Sequence, residues 1–143
     1  MHATSDGPWV PKRLGEPLAG ERTYVWRALW DAGAVIANGT DTPVEDVDPL
    51  ASYGATVTRR LADGSTFHPE QRLTREEALA TYTRNNAYAA FEEDLKGTLE
   101  PGKLADFVVL SHDILRVPEQ ELAATRVLYT VLGGRIVHTA PVH

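Results

Sequence analysis

Residues Gly33-Ala34-Val35-Ile36-Ala37-Asn38-Gly39-Thr40-Asp41-Thr42-Pro43-Val44 join a short apolar run to a Gly-Thr-Asp turn. An unbroken apolar run of this length, bounded by turn residues, predicts a buried strand over 34–38. Just before it, Tyr24, Val25, Ala28 and Leu29 recur at helical spacing and predict a helix over 21–32, which Gly33 stops. Helix, tight turn and buried strand in succession are the grammar of an α/β layer. Gly39 is expected to let the backbone turn sharply, which leaves Asp41 just past the C-terminal end of the strand. That edge is where α/β folds collect catalytic and ligand-binding groups. A carboxylate there is a candidate metal ligand or proton acceptor. The same residue type before a proline also suits an Asp that caps nearby backbone amides.

The rest of the chain divides in two. Residues 1–20 are rich in Pro and Gly and read as loop. Glu45, Asp46 and Asp48 form an acidic loop that feeds a helix from Pro49 to about residue 61, with Asp48 as its cap. They lack the spacing of a calcium loop, so solvation accounts for them. Thr74, with Glu77 three residues later, spells a capping box and predicts a helix over 75–90. After the turn-rich connector Gly97–Lys103 the texture becomes β: a buried strand within 105–110, a short helical turn over 118–122, a strand over 126–132, and a Gly133-Gly134 hairpin into 135–138.

Composition narrows the function. Of 143 residues, 43% are hydrophobic and 24% charged, as in a globular protein. A formal charge of −6 argues against binding nucleic acid or anionic lipid. The chain has no cysteine, which removes disulfides, thiolate nucleophiles and Cys-based zinc sites. No apolar run approaches membrane-spanning length and no signal pattern opens the chain, so a cytoplasmic location is the expectation.

Four segments carry a resemblance to a known family: His2-Ala3-Thr4-Ser5-Asp6 with Pro8-Trp9; Gly39-Thr40-Asp41-Thr42-Pro43-Val44; Leu73 to Ala90 with Tyr82-Thr83-Arg84-Asn85; and Lys96 to Asp106. The last carries a Gly-x-Leu-x-x-Gly-x-x-Ala-Asp pattern and is the most specific. Together they resemble the C-terminal part of metal-dependent amidohydrolases of the amidohydrolase 3, YtcJ-like branch. The resemblance implies an α/β fold that is the C-terminal fragment of a (β/α)8 TIM-type barrel followed by part of a small β-sandwich. Residues 1–96 would then hold the last strand–helix units of the barrel, and residues 97–143 the C-terminal strands of the composite sandwich. The implied chemistry is hydrolysis of non-peptide C–N bonds of a small-molecule substrate by a metal-activated water, the metal being divalent and expected to be zinc. Asp41 matches the family's acidic residue after the last barrel strand, which touches the metal-bound water and shuttles its proton. It would act as a catalytic group and would meet a metal only in a complete site. His2 and Asp6 would face the substrate.

The departure from the family pattern is also plain. Of the five histidines, His2, His68, His112, His138 and His143, none forms a His-x-His pair. A whole barrel needs at least about 200 residues. The expectation is therefore a C-terminal portion of an enzyme, with no cofactor bound and no activity by itself, able to self-associate or to pair with an N-terminal fragment. In such a chain His2 is expected to fray with the terminus. A second reading makes the chain a non-catalytic interaction or complementation module that associates with another chain through unpaired strand edges. Trp26 and Trp30 read as core or interface, Thr83 to Asn85 as structural, His68 as a surface loop residue, and Asp106 as a backbone partner at the connector.

Overall fold

The computed structural model describes residues 2–141. Among these, the chain runs α1 (His2–Ser5), α2 (Val10–Leu14), α3 (Glu16–Arg22), α4 (Trp26–Asp31), α5 (Pro49–Thr58), α6 (Arg75–Tyr82), α7 (Arg84–Ala89), β1 (Phe107–Leu110), β2 (Val127–Leu132) and β3 (Arg135–Thr139). Short 3-10 turns lie at Pro69–Gln71 and Glu119–Ala124. The architecture is mixed: a helical part precedes one small antiparallel sheet in the order β1-β2-β3.

The N-terminal stretch is helical, not loop. Pro11 and Pro17 are the second residues of α2 and α3, within the first turn. There the missing N–H costs nothing and the fixed φ suits a helix start, so the prolines open helices rather than break them. The helix expected over 21–32 is cut down to α4. Tyr24 takes a left-handed backbone, φ 53°, and its carbonyl accepts from Arg59 Nη1 at 3.0 Å. Tertiary contacts outweigh propensity at that point. Trp26 and Trp30, not Leu29, face the core. Gly33 does stop the helix: at φ 85° its N–H donates to the Trp30 carbonyl, and the Ala34 N–H donates to Leu29. That pair of bonds is a Schellman ending, which needs a left-handed residue.

Residues 34–38 form no strand, and they are largely exposed instead of buried. A ladder needs a neighbouring strand, and none among the described residues runs alongside. Side chains substitute for it. Asn86 Oδ1 accepts from the Asn38 N–H at 3.1 Å, and Asn86 Nδ2 donates to the Asn38 carbonyl at 2.9 Å. Asn85 Nδ2 donates to the Ile36 carbonyl at 3.0 Å. The single helix expected over 75–90 breaks at Thr83, φ −121° and ψ −97°, into α6 and α7. The break lets both asparagines reach segment 36–38.

Helix caps follow the sequence closely. Asp48 accepts from the N–H groups of Leu50 and Ala51 at the start of α5, and the Thr74/Glu77 capping box opens α6. The helix from Pro49 ends at Thr58, earlier than expected, because Arg59 turns left-handed at φ 56°. The main core joins Tyr53 and Val57 of α5 to Leu73, Ala78, Ile114, Val117 and Leu122. The excursion between β1 and β2 thus returns to the helices. Tyr53 donates to the carbonyls of Arg75 and Ile114 at 3.3 and 3.2 Å, and burial pushes its phenol up to about 12. An unfolded tyrosine titrates near ~10, so from about pH 10 to about 12 the folded state keeps a proton that the unfolded state releases. This contribution is whole below pH ~10 and is lost as pH climbs through ~12. Tyr53→Phe is therefore expected to flatten the alkaline fall in stability by about 2–3 kcal/mol across that window, read as urea midpoints at about pH 9 and about pH 12. An unchanged slope would contradict it.

β1 is exposed rather than buried: Phe107, Val108 and Val109 are 38%, 50% and 39% accessible. Its register pairs Phe107 with Val131 and Leu110 with Val127. β2 and β3 meet at a two-residue hairpin, Gly133 and Gly134 at φ 55° and 76°, the left-handed pair that such a turn demands. Asp106 accepts from the Gly133 N–H at 2.6 Å, as a backbone partner should. No helix among the described residues is long and apolar enough to cross a membrane.

Candidate functional site

Two loops and one short helix converge where α1 meets the turn after segment 34–38. His2 opens α1, and its ring lies between two carboxylates. Nε2 is 2.8 Å from Asp41 Oδ2, and Nδ1 is 2.9 Å from Glu45 Oε1. A carboxylate offers only acceptors, so each contact is a hydrogen bond when the facing ring nitrogen carries a proton. Ser5, one turn along α1, donates its hydroxyl to the same Glu45 oxygen. Asp6 accepts a hydrogen bond from the Tyr24 hydroxyl. Burial, then the facing Asp6 carboxylate, pushes that phenol up to about 12.

Asp41 itself adopts φ 57°. The left-handed residue of this turn is therefore Asp41 and not Gly39, which lies outside the positive-φ region. Asp tolerates that region better than most side chains, because its short polar arm bonds locally. The turn closes through the Asp41 carbonyl, which accepts from Val44 at 2.9 Å and Glu45 at 3.4 Å. Thr42 Oγ1 adds a bond to the Glu45 carbonyl at 3.0 Å. The Asp41 side chain is 64% exposed and open to an approaching ligand, whereas Glu45 is only 13% exposed.

The three residues singled out from the sequence, His2, Asp6 and Asp41, thus fall in one region. Asp41 and His2 touch; Asp6 joins them through its backbone N–H, which donates to the His2 carbonyl at 2.8 Å. Glu45, Ser5 and Tyr24 belong to the same network and had no signal of their own. Glu45 read as one acid in a solvated loop, and only the fold shows that it is mostly covered and engaged by α1. Tyr24 read as a core position of a longer helix.

Behind the site, Arg59 is fully buried. Its Nε donates to the Phe67 carbonyl at 2.8 Å, and its guanidinium sits 4.9 Å and 5.4 Å from the Trp26 and Phe67 ring centres. Burial lowers its pKa to about 10. By holding the Tyr24 carbonyl, it fixes the residue that holds Asp6.

The arrangement can move a proton between a water or ligand at Asp41 and the His2 ring. It does not make a metal site. Among the described residues no three His, Asp or Glu side chains are grouped to hold an ion, and both nitrogens of His2 already face carboxylates.

Comparison with known proteins gives the context. The model of the Amidohydrolase family matches residues 1–138. The Bacillus subtilis protein YtcJ, named as an amidohydrolase, is 33% identical over 137 residues, covering 94% of this chain and 26% of its own length. The N-substituted formamide deformylase of Arthrobacter pascens is 32% identical over 120 residues, covering 84% of this chain and 22% of its own. A crystal structure of a metal-dependent hydrolase from Pyrococcus furiosus superimposes with a TM-score of 0.66 at 32% identity, covering 80% of this chain and 23% of that one. The chain spans about a quarter of the length of the curated relatives it matches.

Proposed function

The chain belongs to the Amidohydrolase family, and from that premise we propose that it supplies the Asp41-bearing part of an enzyme that hydrolyses non-peptide, amide-type C–N bonds of small molecules. In this reading residues 1–96 are the last strand–helix units of a (β/α)8 barrel, and residues 97–143 are strands of a composite β-sandwich. The observation that carries it is the 2.8 Å contact between His2 and Asp41. It joins two widely separated sequence motifs, an imidazole and an accessible carboxylate, at one point. Two further facts support the reading. Segment 34–38 is held by side chains where a barrel would supply neighbouring strands. The sheet leaves Phe107, Val109, Tyr129 and Ile136 around an open apolar hollow, the kind of surface that a second sheet covers.

The complete enzyme would draw its hydrolytic water from a divalent metal, zinc in our reading, which the described residues do not hold by themselves. The roles of this chain's own groups follow from their chemistry. Asp41 accepts a proton from the attacking water and returns it to the nitrogen that leaves as the C–N bond breaks. The products are a carboxylic acid and an amine, so atoms and protons balance. His2 steadies the Asp41 carboxylate through Nε2, and with Asp6 it faces the substrate. The N-substituted formamides named for the Arthrobacter relative are the first substrates to try.

The test mixes the chain with a separately produced polypeptide matching the N-terminal three quarters of YtcJ, adds zinc, and measures amine release. Activity is expected for the mixture and not for the chain alone. Asp41→Asn is expected to cut it by about 10²–10⁴-fold, the usual weight of a general acid–base group, without weakening association. Turnover by the purified chain alone would refute the dependence on a partner. The exposed apolar sheet also favours a second reading, a non-catalytic module that binds another chain. A stable mixture that stays inactive would decide for it.

A further inference from the structure

Glu45 lies outside the quoted motifs and the proposed chemistry, yet one of its oxygens meets two side chains of α1. Its side chain is 13% exposed, in an otherwise open loop. One oxygen, Oε1, meets both the Nδ1 of His2 at 2.9 Å and the hydroxyl of Ser5. His2 and Ser5 lie on the same short helix, so Glu45 clamps α1 to the Asp41 turn at two points. Its backbone belongs to that turn as well: its N–H donates to the Asp41 carbonyl, and its carbonyl accepts from Thr42.

We propose that Glu45 is the positioning residue of this site: it grips Nδ1 of His2 and so aims Nε2 at Asp41. This rests on the reading of Asp41 as the proton acceptor. An imidazole is a flat ring with two polar corners, so fixing one corner fixes the direction of the other. Without Glu45 the ring turns about its own side-chain bonds, and Nε2 leaves Asp41 Oδ2. The carboxylate of Asp41 then loses the donor that steadies it in its left-handed turn. Ser5 acts one step further out by orienting Glu45. A carboxylate that orients an imidazole, which in turn touches the reacting group, is a recurring catalytic device. Here its parts come from a helix and a turn far apart in sequence.

The experiment uses the full chain and diethyl pyrocarbonate, which acylates accessible ring nitrogens of histidine. Mass spectrometry gives the rate at His2 relative to His138, which lies exposed on β3. Glu45→Ala is expected to raise that ratio about tenfold, the weight of one charge-assisted hydrogen bond. Glu45→Gln keeps an acceptor oxygen in place and is expected to stay within about threefold of wild type. Ser5→Ala is expected to fall between the two. Far-UV circular dichroism reports whether each variant is folded. Were Glu45→Ala to unfold, Ser5→Ala against Glu45→Gln carries the comparison. A purely structural Glu45 would change the thermal midpoint and leave the His2 ratio alone, and that result overturns the proposal. An unchanged ratio in both Glu45→Ala and Ser5→Ala overturns it too. The assay needs neither metal nor substrate. If the ratio moves as expected while Asp41→Asn leaves the assembled enzyme active, the functional reading fails and the clamp stands.

Discussion

Asn86→Ala is expected to destabilise the chain by about 2–3 kcal/mol and to loosen the whole segment that carries Asp41. The side chain of Asn86 makes a two-way bond with the backbone of Asn38, accepting its N–H at 3.1 Å and donating to its carbonyl at 2.9 Å. That is the exchange a neighbouring strand would make, performed by one amide. Each such bond contributes about 1 kcal/mol net, and a half-buried backbone group left unpaired adds a further cost. Asn38 also reaches the Thr81 carbonyl with its N–H and Thr56 Oγ1 with its side chain, so the segment should loosen without detaching. At roughly 2–4 °C per kcal/mol for a domain of this size, the thermal midpoint should fall by about 5–10 °C. Hydrogen exchange at the Asn38 amide should quicken at least about tenfold, with α5 and the β2–β3 pairs unaffected. Asn86→Asp should be worse than Ala at this position, because a carboxylate oxygen would face the Asn38 carbonyl. A midpoint for Asn86→Ala within experimental error of wild type would show that the tether is ornamental.

Arg59→Ala is expected to cost more, about 4 kcal/mol or above. Its guanidinium is sealed from solvent, yet it donates to the Phe67 and Tyr24 carbonyls at 2.8 and 3.0 Å and lies against two aromatic rings. Removing it strands two carbonyls, each worth roughly 1–3 kcal/mol when buried and unpaired, and opens a cavity beside Trp26. Arg59→Lys should recover little: an ammonium is a point charge and cannot fork to two carbonyls while stacking flat on a ring. Arg59→Gly relieves the left-handed backbone but keeps the cavity, so it should resemble Ala to within about 1 kcal/mol. The pH sign is the reverse of that for Tyr53. A base whose folded pKa is depressed to about 10 carries a folding cost below that value. The cost is relieved as pH rises above ~10, because the unfolded guanidinium holds its proton to a higher pH than the folded one. Urea midpoints of wild type and Arg59→Ala, compared at neutral pH, give the loss directly. A difference under ~1 kcal/mol would mean that the cage around Arg59 supports nothing.

The functional consequence of both variants runs through the site. Arg59 holds the Tyr24 carbonyl, and the Tyr24 hydroxyl holds Asp6. Asn86 holds Asn38, three residues before Asp41. Neither residue touches the candidate chemistry, yet each fixes one of its walls.

What could be read from sequence here was mostly local. Asp48 and Thr74 with Glu77 announced their helices because a cap is a bond between residues two or three positions apart. Gly33 and the Gly133-Gly134 pair announced a stop and a hairpin because only a residue without Cβ takes those dihedrals freely. Asp41, His2 and Asp6 were recognisable because a family motif writes them in order. The two failures that concern strands share one cause. The apolar run 34–38 had the composition of a buried strand, but a strand is a relation between chains of hydrogen bonds, and its partners must be present. β1 was read correctly as a strand and wrongly as buried for the same reason: its faces need a covering layer.

By itself, then, the sequence determined the family, the caps, the hairpin and the three candidate residues, all of which rest on short-range chemistry or on ordered motifs. Only the tertiary structure decided that Asn86 stands in for a strand, that Arg59 is entombed, and that Glu45 leaves its acidic loop to grip His2. Those outcomes depend on which groups, tens of residues apart, must share the scarce hydrogen-bonding partners of a folded interior, and no local pattern records that competition.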